Sequence, residues 1–157
     1  IFISKSKKIK SKKLMNAEIN EKKQKINMLE TWNTFAKNTI KHSDKLNKLI
    51  LIQKNKGFVV GFGASARSST ILNFCGINNT HLDFIIDNNK LKKDMITPGS
   101  NIKIISLKDG VKFLNKISCI IILAWNFEEE IREELINVGY KGSIIVPLPN
   151  EPRIYEI

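Results

Sequence analysis

The stretch best suited to hold a ligand is Gly61-Phe62-Gly63-Ala64-Ser65-Ala66, which follows an apolar run from Phe58 and opens a helical pattern. It reads as GxGxxG with Ala66 in the third small position. That spacing lets the backbone turn tightly and approach a phosphate, while the free amides and dipole of the following helix attract the anion. Ser65, Ser68 and Ser69 add hydroxyls, and Arg67 adds a positive charge. The same tight strand-to-helix turn also recurs in α/β domains that bind nothing.

Asp87 lies 24 residues after Gly63, at the end of the next apolar run. An acid about 20 residues beyond the glycines binds a ribose hydroxyl in dinucleotide sites. Because Asn88 and Asn89 follow it, Asp87 fits a turn-forming aspartate equally well. Leu123-Ala124-Trp125-Asn126 ends a later run and places an aromatic ring and an amide where they could face the glycine turn. Trp125 also fits a partly buried anchor. His42 and His81 have no nucleophile or carboxylate at a recognisable spacing and read as surface groups. Cys75 and Cys119 lack CxxC spacing, so buried, reduced thiols in a cytoplasmic protein are expected, not zinc ligands. No catalytic constellation emerges.

The elements that must position these residues follow from periodicity. From Gly57 onward, short apolar runs alternate with helical segments, the pattern of a parallel α/β sheet. Strands are expected at Phe58 to Gly61, Leu82 to Ile86, Ile102 to Ile105, Cys119 to Leu123 and Ser143 to Val146. Helices are expected at Ser65 to Phe74, Leu107 to Asn115 and Phe127 to Val138. The last of these carries an Asn126/Glu129 capping box, a buried stripe of Phe127, Ile131, Leu135 and Val138, and Gly139 at its end. The glutamates from Glu128 to Glu134 suit a helix start and read as solubility and stability. A long loop with a stiff Thr97-Pro98-Gly99-Ser100 turn joins the second strand to the third. The expected order 3-2-1-4-5 reverses direction between strands one and four, and the ligand crevice opens there.

Before the sheet, Leu14, Ala17, Ile26, Leu29, Trp32, Ala36, Ile40, Leu46, Leu49 and Ile50 recur at helical spacing, with His42-Ser43-Asp44 as the expected break. Ile1 to Ser4 reads as a strand end, and the opening Ile1 as a truncation with sequence missing upstream. The net charge of +11 is local: residues 1–56 hold 15 lysines against four acids, whereas residues 57–157 hold 11 basic and 11 acidic groups. Ser4 to Lys13 has neither arginine nor aromatic residues, so a solvated basic linker is favoured over a nucleic-acid contact. No apolar run approaches the ~20 residues of a membrane-spanning helix, and no membrane partner is expected.

Taken together, Gly61 to Arg67 and Thr70 to Ile77, Asp83 to Asp87, Thr97 to Ser100, Leu123 to Phe127 and Val146-Pro147-Leu148-Pro149 resemble, in order and spacing, the C-terminal domain of sugar C-methyltransferases over residues 25–150. The resemblance implies a Rossmann-like, doubly wound, mainly parallel five-stranded α/β sheet preceded by a long helical segment. It divides the chain into 1–13, the end of a domain binding S-adenosylmethionine (SAM) plus a basic linker; 14–56, a helical connector; and 57–157, a nucleotide-sugar-binding domain.

It further implies a parent enzyme that methylates a carbon next to the ketone of a nucleotide-diphosphate-linked deoxysugar. Its SAM, zinc and catalytic base would be held upstream, and no cofactor would be bound by this chain. Carried over, the substrate-binding residues would be Gly61, Gly63, Ala64, Ser65, Arg67, Asn73, Asp87, Thr97, Gly99, Trp125 and Asn126. Ser68 departs from the family's usual Gly, Ser69 from Asn and Lys103 from Pro, which leaves the sugar open. The glycine turn and Asp87 alone also allow an NAD(P)-binding oxidoreductase or regulatory module.

Overall fold

A computed structural model describes residues 5, 6 and 8–157. The expected strand end at Ile1 to Ser4 lies outside the described residues. The chain divides into two compact units, Ile1–Ile40 and Lys41–Ile157.

In the first unit, helix α1 (Lys12–Lys23) is capped by the Ser11 hydroxyl, which accepts from the Leu14 amide at 3.2 Å. The chain then turns at Lys25, whose φ is 54°, and enters helix α2 (Leu29–Lys54). The turn is tied by Thr31 Oγ1 to the Lys25 carbonyl at 2.8 Å and by Trp32 Nε1 to the Ile26 carbonyl at 2.6 Å. The helical break therefore falls at Lys25, and α2 runs without interruption through His42-Ser43-Asp44. Only the late part of the expected apolar stripe is covered: Leu46 and Ile50 are buried, whereas Leu14, Leu29, Trp32 and Ile40 are exposed.

In the second unit, strands β1 (Phe58–Phe62), β2 (Ile85–Ile86), β3 (Ile104–Ile105), β4 (Ile117–Ile122), β5 (Ser143–Val146) and β6 (Arg153–Glu156) form one sheet in the order β3-β2-β1-β4-β5-β6. The first five are parallel in the expected doubly wound order. Among the described residues the sheet has six strands, not five, because β6 returns antiparallel along β5, from Ser143 opposite Glu156 to Val146 opposite Arg153.

Side chains of a strand alternate between faces, and two cores result. Val59, Cys119, Ile121 and Ile145 pack with Leu46 and Ile50 of α2 and with Ile71 and Leu72 of α3 (Ala66–Phe74). Val60, Phe62, Ile120, Ile122 and Ile144 pack with Ile131 and Leu135 of α5 (Glu128–Asn137). The expected helix from Leu107 is one α-helical turn, α4 (Leu107–Gly110), continued as a 3-10 stretch over Val111–Lys116. The long loop carries its own short 3-10 turn at Lys90–Lys92.

Both cysteines are free and buried. Neither histidine is a fully exposed surface group: the ring of His81 meets Asn78 Oδ1 at 3.0 Å, and His42 Nε2 is buried. Burial lowers the pKa of His42.

Candidate functional site

The strands bordering the site end, and the helices α3 and α5 begin, at the C-terminal edge of the sheet. β1 stops at Phe62, whose carbonyl accepts from the Leu123 and Ala124 amides at 2.9 and 3.2 Å. The chain escapes through Gly63 at φ +94°, a left-handed conformation that penalises a side chain. A Cβ on Gly63 would stand 2.6 Å from the Cβ of Ala124, so the turn is pressed directly against the end of β4.

α3 then starts on a reciprocal cap: Ser68 N–H donates to Ser65 Oγ at 3.2 Å, and Ser65 N–H donates to Ser68 Oγ at 2.6 Å. Ser68 is fully buried. The cap engages the Ser65 and Ser68 amides internally, and Arg67 is exposed on the first turn.

Asp87 closes the turn from the end of β2. Its Oδ2 accepts from the Ala64 amide at 2.7 Å and from Lys92 Nζ at 3.1 Å, and its Oδ1 accepts from the Asn89 amide at 2.8 Å. Lys92 also donates to the Ala64 carbonyl at 2.7 Å. The Asp87 side chain is only 10% exposed. Its carboxylate is thus engaged by the protein's own donors, and the Ala64 amide that would meet a phosphate is held by that carboxylate.

A cleft of about 420 Å³ opens beside this turn, between the ends of β1, β2 and β4 and the helix α5. Phe62, Ala124, Phe127 and Ile131 give it apolar walls. Gly63, Asp87, Asn88, Glu130 and Glu134 complete the lining. Asn88 Nδ2 donates to both carboxylate oxygens of Glu134, at 3.1 and 3.0 Å, tying the end of β2 to α5.

Of the residues singled out in the sequence, Gly63 and Asp87 line the cleft, Ala64 is tied to Asp87, and Ser65 caps α3. Gly61 packs the strand: a Cβ there would lie 2.6 Å from Leu123 Cδ1. Asn73, Thr97 and Gly99 form a separate lock. Asn73 Nδ2 donates to the Pro98 carbonyl at 3.1 Å, and a Cβ on Gly99, at φ +79°, would meet Asn73 Oδ1 at 2.1 Å. Thr97 Oγ1 and Ser100 Oγ, both buried, lie 2.6 Å apart, and Thr97 Oγ1 accepts from the Ile102 amide at 3.0 Å.

Trp125 and Asn126 fall in a 3-10 turn, Trp125–Phe127. Trp125 is half-buried against both cores, and Asn126 is exposed. The expected capping box does not form: the residue before α5 is Phe127, which makes no side-chain cap bond, because the intervening 3-10 turn displaces Asn126. That turn also swings Phe127 out of the buried stripe, to 55% exposure at the cleft.

Asn88, Phe127, Glu130 and Glu134 were not singled out as site residues. The signal for them was the strand order itself, since a helix that follows strand four must flank the crevice beside strand one. Glu128 faces elsewhere, pairing with Arg153 and accepting from Tyr155 Oη of β6 at 3.0 Å. Among the described residues, no group of three or more histidine, cysteine or acidic side chains is placed to hold a metal ion. No described helix is long and apolar enough to cross a membrane.

Known proteins can be set beside this geometry. UDP-D-quinovosamine 4-dehydrogenase from Vibrio fischeri matches with a TM-score of 0.46 and 18% identity, over 65% of this chain and 93% of that one. The C-methyltransferase NovU of Streptomyces niveus is 35% identical over 99 residues, 61% of this chain and 22% of that protein. The chain thus spans less than a quarter of the curated relative it matches. The family model for the C-methyltransferase C-terminal domain matches residues 1–149. With that match covering nearly all of the sequence, the chain belongs to the C-methyltransferase C-terminal domain family.

Proposed function

We propose that this chain is the substrate-holding C-terminal part of a SAM-dependent C-methyltransferase acting on a nucleotide-diphosphate-linked deoxy-keto sugar. Methylation beside a ketone requires removal of the acidic proton next to the carbonyl, then attack of the resulting carbanion on the SAM methyl carbon, whose bond to sulfur breaks so that S-adenosylhomocysteine leaves. We assign that base and the SAM to an upstream SAM-binding domain with which this chain acts, and the zinc to a separate N-terminal domain of the parent enzyme. The role left to this chain is to bind and orient.

The observation that carries the reading is the cleft at the ends of the paired strands β1 and β4, from which α3 and α5 leave for opposite faces of the sheet, with an aromatic wall at Phe127 and hydrogen-bonding groups at Asn88 and Glu134. Crevices at such switch points are where doubly wound sheets bind ligands. A cytoplasmic location agrees with the two free thiols. The engagement of Asp87 by Ala64, Asn89 and Lys92 speaks against the NAD(P) alternative, because a ribose would have to displace those donors.

Calorimetry with a panel of nucleotide-diphosphate hexoses tests the proposal. Saturable binding is expected, together with no methyl transfer by this chain alone. An absence of heat with every conjugate, where a full-length relative binds, overturns it. Tight, saturable quenching of NADH fluorescence would instead establish the nicotinamide reading.

A further inference from the structure

The apolar residues of the first unit are ordered, yet they stand largely uncovered. On α2, Leu29, Trp32, Ala36 and Ile40 recur at helical spacing on one side, with Phe35 next to them. Leu29, Trp32, Phe35 and Ile40 are each more than half exposed. Further along the same helix the stripe is covered, at Leu46 and Ile50.

The aromatic pair on this face is fixed before any partner arrives. Trp32 Nε1 donates to the Ile26 carbonyl at 2.6 Å and Thr31 Oγ1 to the Lys25 carbonyl at 2.8 Å, which holds the indole against the turn between α1 and α2. The Trp32 and Phe35 rings meet edge to face, with centroids 6.0 Å apart. With its N–H donor satisfied inside the unit, the indole offers a partner only apolar surface. Tryptophans dominate interface energetics, and one already held in place has less side-chain entropy left to lose on contact.

Charge narrows the occupant. Residues 1–40 carry ten lysines against three glutamates, and among the described residues Lys10 with Glu18 is the only ion pair of this unit. Two copies of the chain meeting through this face would bring like charges together, whereas an apolar surface rimmed by carboxylates would be attracted to it. The matching family is, by its description, a C-terminal domain, and more than three-quarters of NovU lies outside the segment shared with this chain. In a protein that ends on this domain the remainder precedes it, next in sequence to residues 1–40.

Resting on the function proposed above, we infer that the Leu29, Trp32, Phe35 and Ile40 face of α2 seats the upstream SAM-binding domain, which meets it with an apolar surface rimmed by acidic residues. Trp32 and Phe35 are the anchors, and the lysines of this unit orient the encounter.

Hydrogen exchange on two proteins tests this: the chain alone, and the parent enzyme read from its coding sequence. In the parent, amides of residues 29–40 are expected to exchange at least ~10-fold more slowly than in the chain alone. Trp32→Ala and Phe35→Ala should each abolish that difference, with exchange in residues 46–157 unchanged. Phe35→Ala leaves the Trp32 bond to Ile26 in place, so it separates lost docking from a loosened turn. Lys37→Glu should weaken the protection, and a strengthening would refute the acidic rim.

Equal exchange at residues 29–40 in a parent that methylates a nucleotide-linked keto sugar overturns the inference and leaves the proposed function standing. Protection that appears in the chain alone as its concentration rises, with a dimer on sedimentation, also overturns it, since the occupant is then a second copy. A parent that shows the protection and transfers no methyl group to any such sugar refutes the proposed function and keeps the docking face. A coding sequence with no upstream domain removes both.

Discussion

Gly63 shows how a motif associated with ligands is used for packing. Its φ of +94° and the 2.6 Å approach of a hypothetical Cβ to Ala124 each exclude a side chain, independently of any ligand. Gly63→Ala is therefore expected to destabilise the fold by about 2–3 kcal/mol, combining left-handed strain with overpacking. Urea unfolding would measure this, and a loss below ~0.5 kcal/mol would mean that the turn relaxes freely. Cys119 makes a second case. Burial, the largest cause, pushes its thiol from 9.0 up to about 12. Because the folded state holds this proton more tightly than the unfolded one, its contribution is complete below pH 9 and is lost as pH rises from 9 towards 12. Iodoacetamide at pH 8 should leave Cys119 unmodified in the folded chain and alkylate it in urea; labelling at equal rates in both states would contradict the buried placement.

Elements were legible in the sequence to the degree that their apolar residues are buried. β5 falls where Ser143-Ile144-Ile145-Val146 predicts it, and α3 begins on its expected serine. β2 and β3 shrink to two residues each, because only Ile85–Ile86 and Ile104–Ile105 reach a neighbour's register. β6 was not legible: Arg153 and Ile154 are exposed on the sheet's edge, and the strand is defined by backbone pairing with β5, which leaves no apolar run to read. The cleft was only half legible. Its glycine side has a local motif, whereas its α5 side depends on a 3-10 turn that rotates Phe127 outward. The lock between α3 and the Thr97 turn carries a prediction of its own. Asn73→Ala removes the bond to the Pro98 carbonyl and should cost about 1 kcal/mol. Faster amide exchange is expected at Thr97, Asn101 and Ile102, while β1 and β4 stay protected. Uniform acceleration over the whole sheet would show that Asn73 supports the global fold instead.

Taken as a whole, the molecule distributes burial unevenly along its chain. No residue of α1 is buried, and Ile9, Leu14, Met15, Ile19, Met28, Leu29, Trp32, Phe35 and Ile40 are all at least 45% exposed. Residues 1–40 also hold ten lysines against three glutamates, so like charges repel where little apolar area is removed from water. Short helices in that condition open readily, since helical stability in proteins comes mostly from a packed apolar face. From Leu46 onward the situation reverses, with Leu46, Ile50, Val59 and Val60 at 1% exposure or less. Trypsin at low ratio should therefore cut first at Lys22, Lys23 or Lys25, around the left-handed turn, and next in the exposed start of α2. A fragment containing residues 46–157 should persist, because cleavage there requires opening of the sheet, whose stability is of global size. Mass spectrometry of the time course reads the outcome directly. Early cuts at Lys103, Lys112 or Lys116 would place the weakest point of the molecule within the sheet's crossovers, and the division of stability between the two units would then be wrong.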